Sequence, residues 1–230
     1  MTSSNKNTSA DQFAAEHLYP ELAAAYVRGN FPDLTANLHS DELLAFGRGQ
    51  GLKLHRFKRT MGLPRVTAVI GALRGIAPSS LLDIGTGRGV FLWPLLDEFA
   101  GLEVTAVEQD ERRAAHLQAV RDGGIDRLTV LQCDASCVPL ADDAYDVVTV
   151  LEVLEHQHDP AGLAREAVRL ASRFVVASVP SKDDDNPEHI QLFTGKTLQK
   201  LLMDAGAASV NVSYVLNHIV AVARLGCVGN

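Results

Sequence analysis

The chain has no long hydrophobic run. Hydrophobic residues make up 47% of its 230 positions, but every apolar stretch breaks well short of the roughly 20 residues a membrane helix needs. It also lacks a charged, then apolar, then small-residue N-terminal pattern. MTSSNKNTSA is polar and reads as a frayed start. Cysteine is scarce: Cys133, Cys137 and Cys227 form an odd set without metal-site spacing, which suits a reducing compartment. They are expected to act as small hydrophobes, and the protein to be cytoplasmic. Positive charge is short too. Twenty-one Lys and Arg against 28 Asp and Glu leave a net charge of −7, which argues against a general nucleic-acid binder while leaving room for a local basic patch. There is no internal repeat and no low-complexity stretch.

What is present divides in two. Residues 11–28, 41–60 and 64–75 are apolar at helical spacing, with Pro32 and Pro64 between them. Residues 1–77 are therefore expected to be a helical extension. From there strands and helices alternate. Strands are expected at Leu81–Ile84, Val104–Val107, Leu128–Leu131, Val147–Val150 and Phe174–Val179, with helices near 90–99, 112–121, 161–170 and 198–205. Such alternation implies right-handed crossovers and a mostly parallel sheet covered on both faces. The last two strands, Ser209–Tyr214 and His218–Ala223, are too close together for a crossover and should pair antiparallel.

The densest signal is LLDIGTGRGVFL at 81–92. It reads as a buried strand carrying Asp83, then a glycine turn, then a helix start. Glycine serves such a turn because it takes positive φ and lets a ligand approach the backbone; the helix start adds free N–H groups. A dinucleotide loop needs G-x-G-x-x-G, but Gly85, Gly87 and Gly89 spell G-x-G-x-G. Glu108 ends the second strand, 23 positions after Gly85, and Asp134 ends the third. An acid at the second strand tip can accept from both ribose hydroxyls. PLADDAYDVVTVLEVLEH then opens a strand with Tyr145-Asp146-Val147-Val148 and sets Glu152 at its carboxyl end.

These four matches, in this order, resemble the class I S-adenosylmethionine-dependent methyltransferases over residues 78–230. The resemblance implies an α/β fold: a Rossmann-like methyltransferase sandwich with a mostly parallel seven-stranded sheet, a C-terminal antiparallel hairpin and, here, an N-terminal helical extension or lid. It implies S-adenosylmethionine as cofactor, held by Asp83, Gly85, Thr86, Gly87, Gly89, Glu108, Gln109, Asp134, Ala135 and Glu152. Glu108 would take the ribose and Asp134 the adenine amino group, with Ala135 beside the ring.

Glu152, Glu155 and His156 form E-x-x-E-H, with His189 further on in NPEHIQLFT. If the segment turns helically, positions i, i+3 and i+4 share a face. Two carboxylates and imidazoles would suit Mg²⁺, Mn²⁺ or Zn²⁺. The string is similar to those of the ubiquinone-biosynthesis O-methyltransferases and of the metal-dependent methyltransferases that modify ribose 2′-hydroxyls at small-RNA ends. The competing reading has no metal. There the first Glu lines the pocket and His156, seconded by Glu155, serves as general base. His158, in His-Asp-Pro, reads as a turn, and Trp93 as packing.

Lys53, His55, Arg56, Lys58, Arg59 and Arg65 concentrate positive charge in GLKLHRFKRTMGLPR. They are either a solvated helix face or a lid that recognises an anionic acceptor. The leading expectation is methyl transfer to an oxygen of a small molecule, anionic if the lid reading holds. An RNA ribose methyltransferase is disfavoured by the net acidity. A non-catalytic S-adenosylmethionine-binding protein stays open, since the loop and its acids show binding alone. A nicotinamide-dependent reductase is disfavoured by the loop spacing. The sequence is silent on oligomeric state.

Overall fold

Seven strands form one sheet in the order β3-β2-β1-β4-β5-β7-β6 in a computed structural model that describes residues 19–59, 62–182 and 186–226. Cys227 and the stretch before Tyr19 lie outside the described residues. The strands are β1 Ser80–Ile84, β2 Glu103–Val107, β3 Leu128–Leu131, β4 Tyr145–Leu151, β5 Ala171–Pro180, β6 Ser209–Val215 and β7 His218–Arg224. β1 to β5 pair in parallel. β7 runs antiparallel to both β5 and β6, so the short link at residues 216–217 makes the expected hairpin and puts β7, not β6, beside β5.

Proline opens the helices. Pro20, Pro32, Pro64 and Pro160 are the first residues of α1 Pro20–Asn30, α2 Pro32–Thr35, α4 Pro64–Ile76 and α7 Pro160–Leu170. A first-turn amide has no helical partner, so its absence costs nothing there. The remaining helices are α3 Ser40–Gly49, α5 Leu92–Glu98, α6 Glu111–Asp122 and α8 Gly195–Asp204. The helix expected over 41–60 stops at Gly49. Gly51 takes φ +80°, and a 3₁₀ turn follows over Leu54–Phe57.

The chain divides into two compact units, residues 1–62 with 115–126, and residues 63–114 with 127–230. α4 packs on β6 and β7 and so falls in the second unit. In the first unit α1 buries Leu22 to Val27, and Tyr26 meets the rings of Phe57 and His116.

The second unit holds the sheet. Leu81, Leu82 and Ile84 of β1 are buried, as are Val147 and Val148 of β4 and Val175 to Ala177 of β5. These continuous apolar runs are what central parallel strands covered on both faces require. At the amino end of the sheet the Ser79 amide and hydroxyl donate to Asp146 Oδ2 (2.8 and 2.7 Å), and the Asp146 amide donates to Ser80 Oγ. The first of these bonds is the main reason the Asp146 carboxyl lies below its ordinary range. Tyr145 Oη donates to Thr105 on β2 at 2.9 Å. The Tyr-Asp pair thus aligns the strands at the end opposite the glycine loop.

Leu82 is fully buried at the centre of this core. Leu82→Ala is expected to cost about 2–5 kcal/mol, read as a lower urea midpoint at unchanged slope. Glu103→Ala, at an exposed strand end, should change stability by less than about 0.5 kcal/mol.

Candidate active site

Parallel strands place their carboxyl ends on one edge of the sheet, which is where open α/β sheets bind ligands. A cleft of about 680 Å³ lies there, lined among others by Asp83, Gly85, Gly87, Glu108, Asp134 and Glu152. All its lining residues belong to the second unit.

The floor of the cleft is the loop after β1. Gly85, Gly87 and Gly89 take φ of +75°, +62° and +82°, a region that costs other residues strain. The Gly85 and Thr86 amides both donate to the Val107 carbonyl on β2 (2.9 and 3.2 Å). Thr86 Oγ1 donates to the Asp83 carbonyl, closing the turn. A Cβ on Gly85 would stand 2.5 Å from Val153, and one on Gly89 would run into the Trp93 indole. A Cβ on Gly87 would meet nothing nearer than 3.8 Å. Gly87 is therefore the open rung of the loop. Trp93 is buried beneath it, and its indole N–H donates to the Arg88 carbonyl.

The two acids follow β2 and β3 and line the cleft. Glu108 is 4% exposed; its Oε2 accepts from the Gly87 amide at 2.7 Å and its Oε1 from the Asp110 amide at 2.9 Å. A carboxylate has about four acceptor sites, so lone pairs stay available for a ligand. Asp134 Oδ1 accepts from the Ser136 amide and hydroxyl (2.8 and 2.7 Å). These bonds hold its carboxyl below the ordinary range. Cys133, Ala135 and Gln109 line the same end.

Asp83 lies under the loop at 3% exposure. Burial raises its carboxyl from 3.8 to about 6, partly offset by hydrogen bonds from Thr149 and Thr86, with Glu108 adding to the rise. Thr149 Oγ1 donates to Asp83 Oδ1 at 2.7 Å.

At the other end Glu152 follows β4 with φ +59°, uncommon for a residue with a Cβ. A 3₁₀ turn over Leu154–His156 comes next. His156 Nδ1 lies 2.8 Å from the Glu188 carbonyl; a carbonyl only accepts, so Nδ1 carries a proton and Nε2 keeps its lone pair in the neutral ring. The loop after β5 is pinned to this turn. The Ile190 amide donates to the Glu155 carbonyl at 3.0 Å, and Gln191 Nε2 donates to the carbonyls of Leu154 and Gln157. Glu155 is buried, and one ligand atom each from Glu155, His156 and His189 lies within 4.8 Å of the others.

Glu152 does not join that cluster, contrary to the expectation of four metal ligands. Spacing i, i+3, i+4 converges only on a continuous helix, whereas here a left-handed residue precedes a short 3₁₀ turn. The Glu152 carboxylate goes elsewhere. Oε1 accepts from Ser178 Oγ at 2.7 Å, and Oε2 lies 3.1 Å from His218 Nε2 and 3.8 Å from Arg65 Nε. Of the basic segment, Arg65 lines the cleft. Arg56 and Arg59 lie over the rings of Tyr26 and Tyr19, which supports a packing role for those two.

Sequence reading missed Ser178, His218 and the support of the Asp134 loop. Arg169 donates to the Val138 and Leu140 carbonyls, to Asp142 and, through two nitrogens, to Glu166. Glu166 Oε1 also accepts from the Val138 amide. This ion pair holds the Glu166 carboxyl low and raises the Arg169 guanidinium. The i, i+3 spacing of the pair was visible in the sequence; its target was not.

Residues 82–173 match the family model described as a methyltransferase domain. Over those residues the chain resembles a methyltransferase domain. It is 31% identical over 118 residues to a probable S-adenosylmethionine-dependent methyltransferase of Mycobacterium tuberculosis, covering 47% of this chain and 42% of that protein. It is 28% identical over 124 residues to a ubiquinone biosynthesis O-methyltransferase of Serratia proteamaculans, covering 53% and 48%. The matches thus span less than half the length of these curated relatives. A solved magnesium protoporphyrin IX methyltransferase from Synechocystis PCC 6803, with S-adenosylhomocysteine bound, shares the fold at TM-score 0.57 and 18% identity, over 70% of this chain and 82% of that one. Among the described residues, no helix is long and apolar enough to cross a membrane.

Asp83 generates a pH signature. The folded carboxyl holds its proton to about pH 6, the unfolded one only to about 3.8. The native state therefore binds more protons between those values, and stability falls as pH rises through that window, by about 3 kcal/mol in all. Asp83→Asn keeps an acceptor for Thr149 and should remove this slope. Urea titrations at pH 4 and 7 test it: a stability difference between variant and wild type that is the same at both pH values contradicts the assignment.

Proposed function

We propose that this chain binds S-adenosylmethionine in the cleft and transfers its methyl group to a hydroxyl oxygen of a small-molecule acceptor. The observation that carries the reading is the row formed by Asp134, Glu108 and the Gly85–Gly89 loop along the tips of β3, β2 and β1, in one cleft. The residues fit the group. Three left-handed glycines leave a backbone cradle, open at Gly87 where a side chain would intrude. Glu108 offers unused acceptor sites for a ribose diol, and Asp134 keeps Oδ2 for an exocyclic amine.

When bound, the cofactor supplies an electrophilic methyl group for in-line displacement. The protein's share is to orient the two reactants and keep water out. A hydroxyl acceptor must also lose its proton. His156 lines the cleft with Nε2 unprotonated in the neutral ring, which suits a general base.

The cluster of Glu155, His156 and His189 also fits a divalent metal. Two imidazoles and a carboxylate suit Zn²⁺ or Mn²⁺ better than Mg²⁺, which prefers oxygen. The Nδ1–H of His156 on the Glu188 carbonyl is the support a ligating histidine uses. A metal on Nε2 would lower the pKa of the acceptor hydroxyl and would take His156 out of service as base. The two roles exclude each other.

Release of S-adenosylhomocysteine across a panel of hydroxylated metabolites, with short RNAs included, tests the reading. Gly87→Arg should abolish S-adenosylhomocysteine binding, and Glu108→Ala should weaken it about 10–100-fold. His156→Ala should leave that affinity within about twofold and lower turnover about 10²–10⁴-fold; full activity in His156→Ala would overturn its role. His189→Ala separates base from metal. Lost turnover together with lost Zn²⁺ or Mn²⁺ binding by calorimetry supports the metal; retained turnover supports the base.

A further inference from the structure

We infer that Cys133 and Cys137 form a peroxide-sensitive thiol pair whose disulfide disables the Asp134 end of the cleft. The effect on binding rests on the donor reading above; formation of the disulfide does not.

Three observations carry it. The first is placement. β3 ends at Leu131, and the two thiols flank Asp134 in the loop that follows. Cys133 lines the cleft and packs, half-buried, against the core of the sheet, whereas Cys137 is exposed. Packing accounts for Cys133. It does not account for Cys137, which stands open to a dissolved oxidant.

The second is proximity. The Cys137 amide donates to the Asp134 carbonyl at 3.3 Å, a turn that brings the Cα atoms of residues 134 and 137 within about 7 Å. Cys133 is the residue before this turn and Cys137 its last, so the chain doubles back between them. Burial first, then Asp134 and then Cys137, push the Cys133 thiol up. The two sulfurs are thus near enough for one to feel the charge of the other. A disulfide needs Cα atoms about 4.4–6.8 Å apart, a span that lies in the range of such a turn.

The third is constraint. The loop is tied at both ends. The Glu108 amide donates to the Leu131 carbonyl at 3.1 Å, and the Val138 amide donates to Glu166 Oε1 at 2.9 Å, which Arg169 holds in turn. Between these ties, Asp134 Oδ1 is aimed by the Ser136 amide and hydroxyl. A bond across 133–137 is therefore not absorbed by neighbouring chain. It reshapes the stretch that aims Asp134.

The chemistry balances with hydrogen peroxide as oxidant. The Cys137 sulfur takes one peroxide oxygen and becomes a sulfenic acid, and the other oxygen leaves as water. The Cys133 sulfur then attacks that of Cys137. The S–S bond forms, the S–O bond breaks, and the hydroxyl leaves with the Cys133 proton as a second water. Both sulfurs are oxidised, peroxide is reduced, and a dithiol reductant reverses the step.

Full-length protein carrying Cys227→Ser leaves these two thiols alone to report. After peroxide, mass spectrometry is expected to show a monomer lighter by two hydrogens. Calorimetry should show S-adenosylhomocysteine bound about tenfold or more weakly, with far-UV circular dichroism unchanged. Dithiothreitol should restore both mass and affinity. Cys137→Ser in the same background should bind as the reduced parent does, before and after peroxide. The inference is overturned by a monomer that only gains oxygen, by linkage between molecules instead of within one, by a disulfide that leaves affinity unchanged or unfolds the chain, or by Cys137→Ser losing affinity to peroxide as the parent does. Reduced protein that binds no S-adenosylhomocysteine overturns the donor reading and the effect on it, while the mass still decides the disulfide.

Discussion

One hydrogen bond organises the cleft: the Gly87 amide to Glu108 Oε2, 2.7 Å long. A carboxylate as buried as Glu108 must be met by donors, and the Gly87 and Asp110 amides are what the protein provides. Gly87 can aim its amide there because it holds φ +62°. The bond therefore ties the loop after β1 to the tip of β2 and fixes the acid in the same act. The Gly85 and Thr86 amides on the Val107 carbonyl make the same junction from the backbone side. Loop and acid form one rigid wall before any ligand arrives, and preorganisation of this kind limits the ordering cost of binding.

Most of this wall was legible in the sequence because each of its parts is a local pattern. A central parallel strand reads as an apolar run, a tight turn as closely spaced glycines, and a strand tip as the first acid after the run. Asp83, Gly87, Glu108 and Asp134 fall where those patterns put them. The hairpin was legible for a similar reason, since two residues between β6 and β7 allow no crossover. What failed was a step that assumed continuous geometry. E-x-x-E-H converges only if Glu152 is helical, and its left-handed backbone removes it from the set.

The unread parts are contacts between distant segments. Arg65 comes from α4 and His218 from β7, and they meet at Glu152 only because β7 inserts beside β5 and α4 packs on β6 and β7. No periodicity in the chain encodes that meeting. Arg169 is the same kind of case. Its spacing to Glu166 reads as an ordinary surface pair, of little worth alone. Its further bonds to the Val138 and Leu140 carbonyls make it the brace of the loop that carries Asp134.

The two ends of the cleft are built by different means, and this bears on how they can change. The β3–β2–β1 end rests on strand tips and backbone amides, so side-chain exchange there strains the loop or exposes a buried acid. The far end rests on a 3₁₀ turn and the segment after β5, joined through Ile190, Gln191 and the bond between His156 and Glu188. Those bonds use backbone carbonyls as acceptors, which every residue type supplies. Ile190 and Leu192 are about half exposed, so the core places no demand on their size. Exposed positions of a loop pinned mainly to backbone carbonyls can change while the glycine wall stays as it is. Within one fold, the β3–β2–β1 end is therefore the constrained half, and the residues that follow β4 and β5 are the half with more freedom to vary.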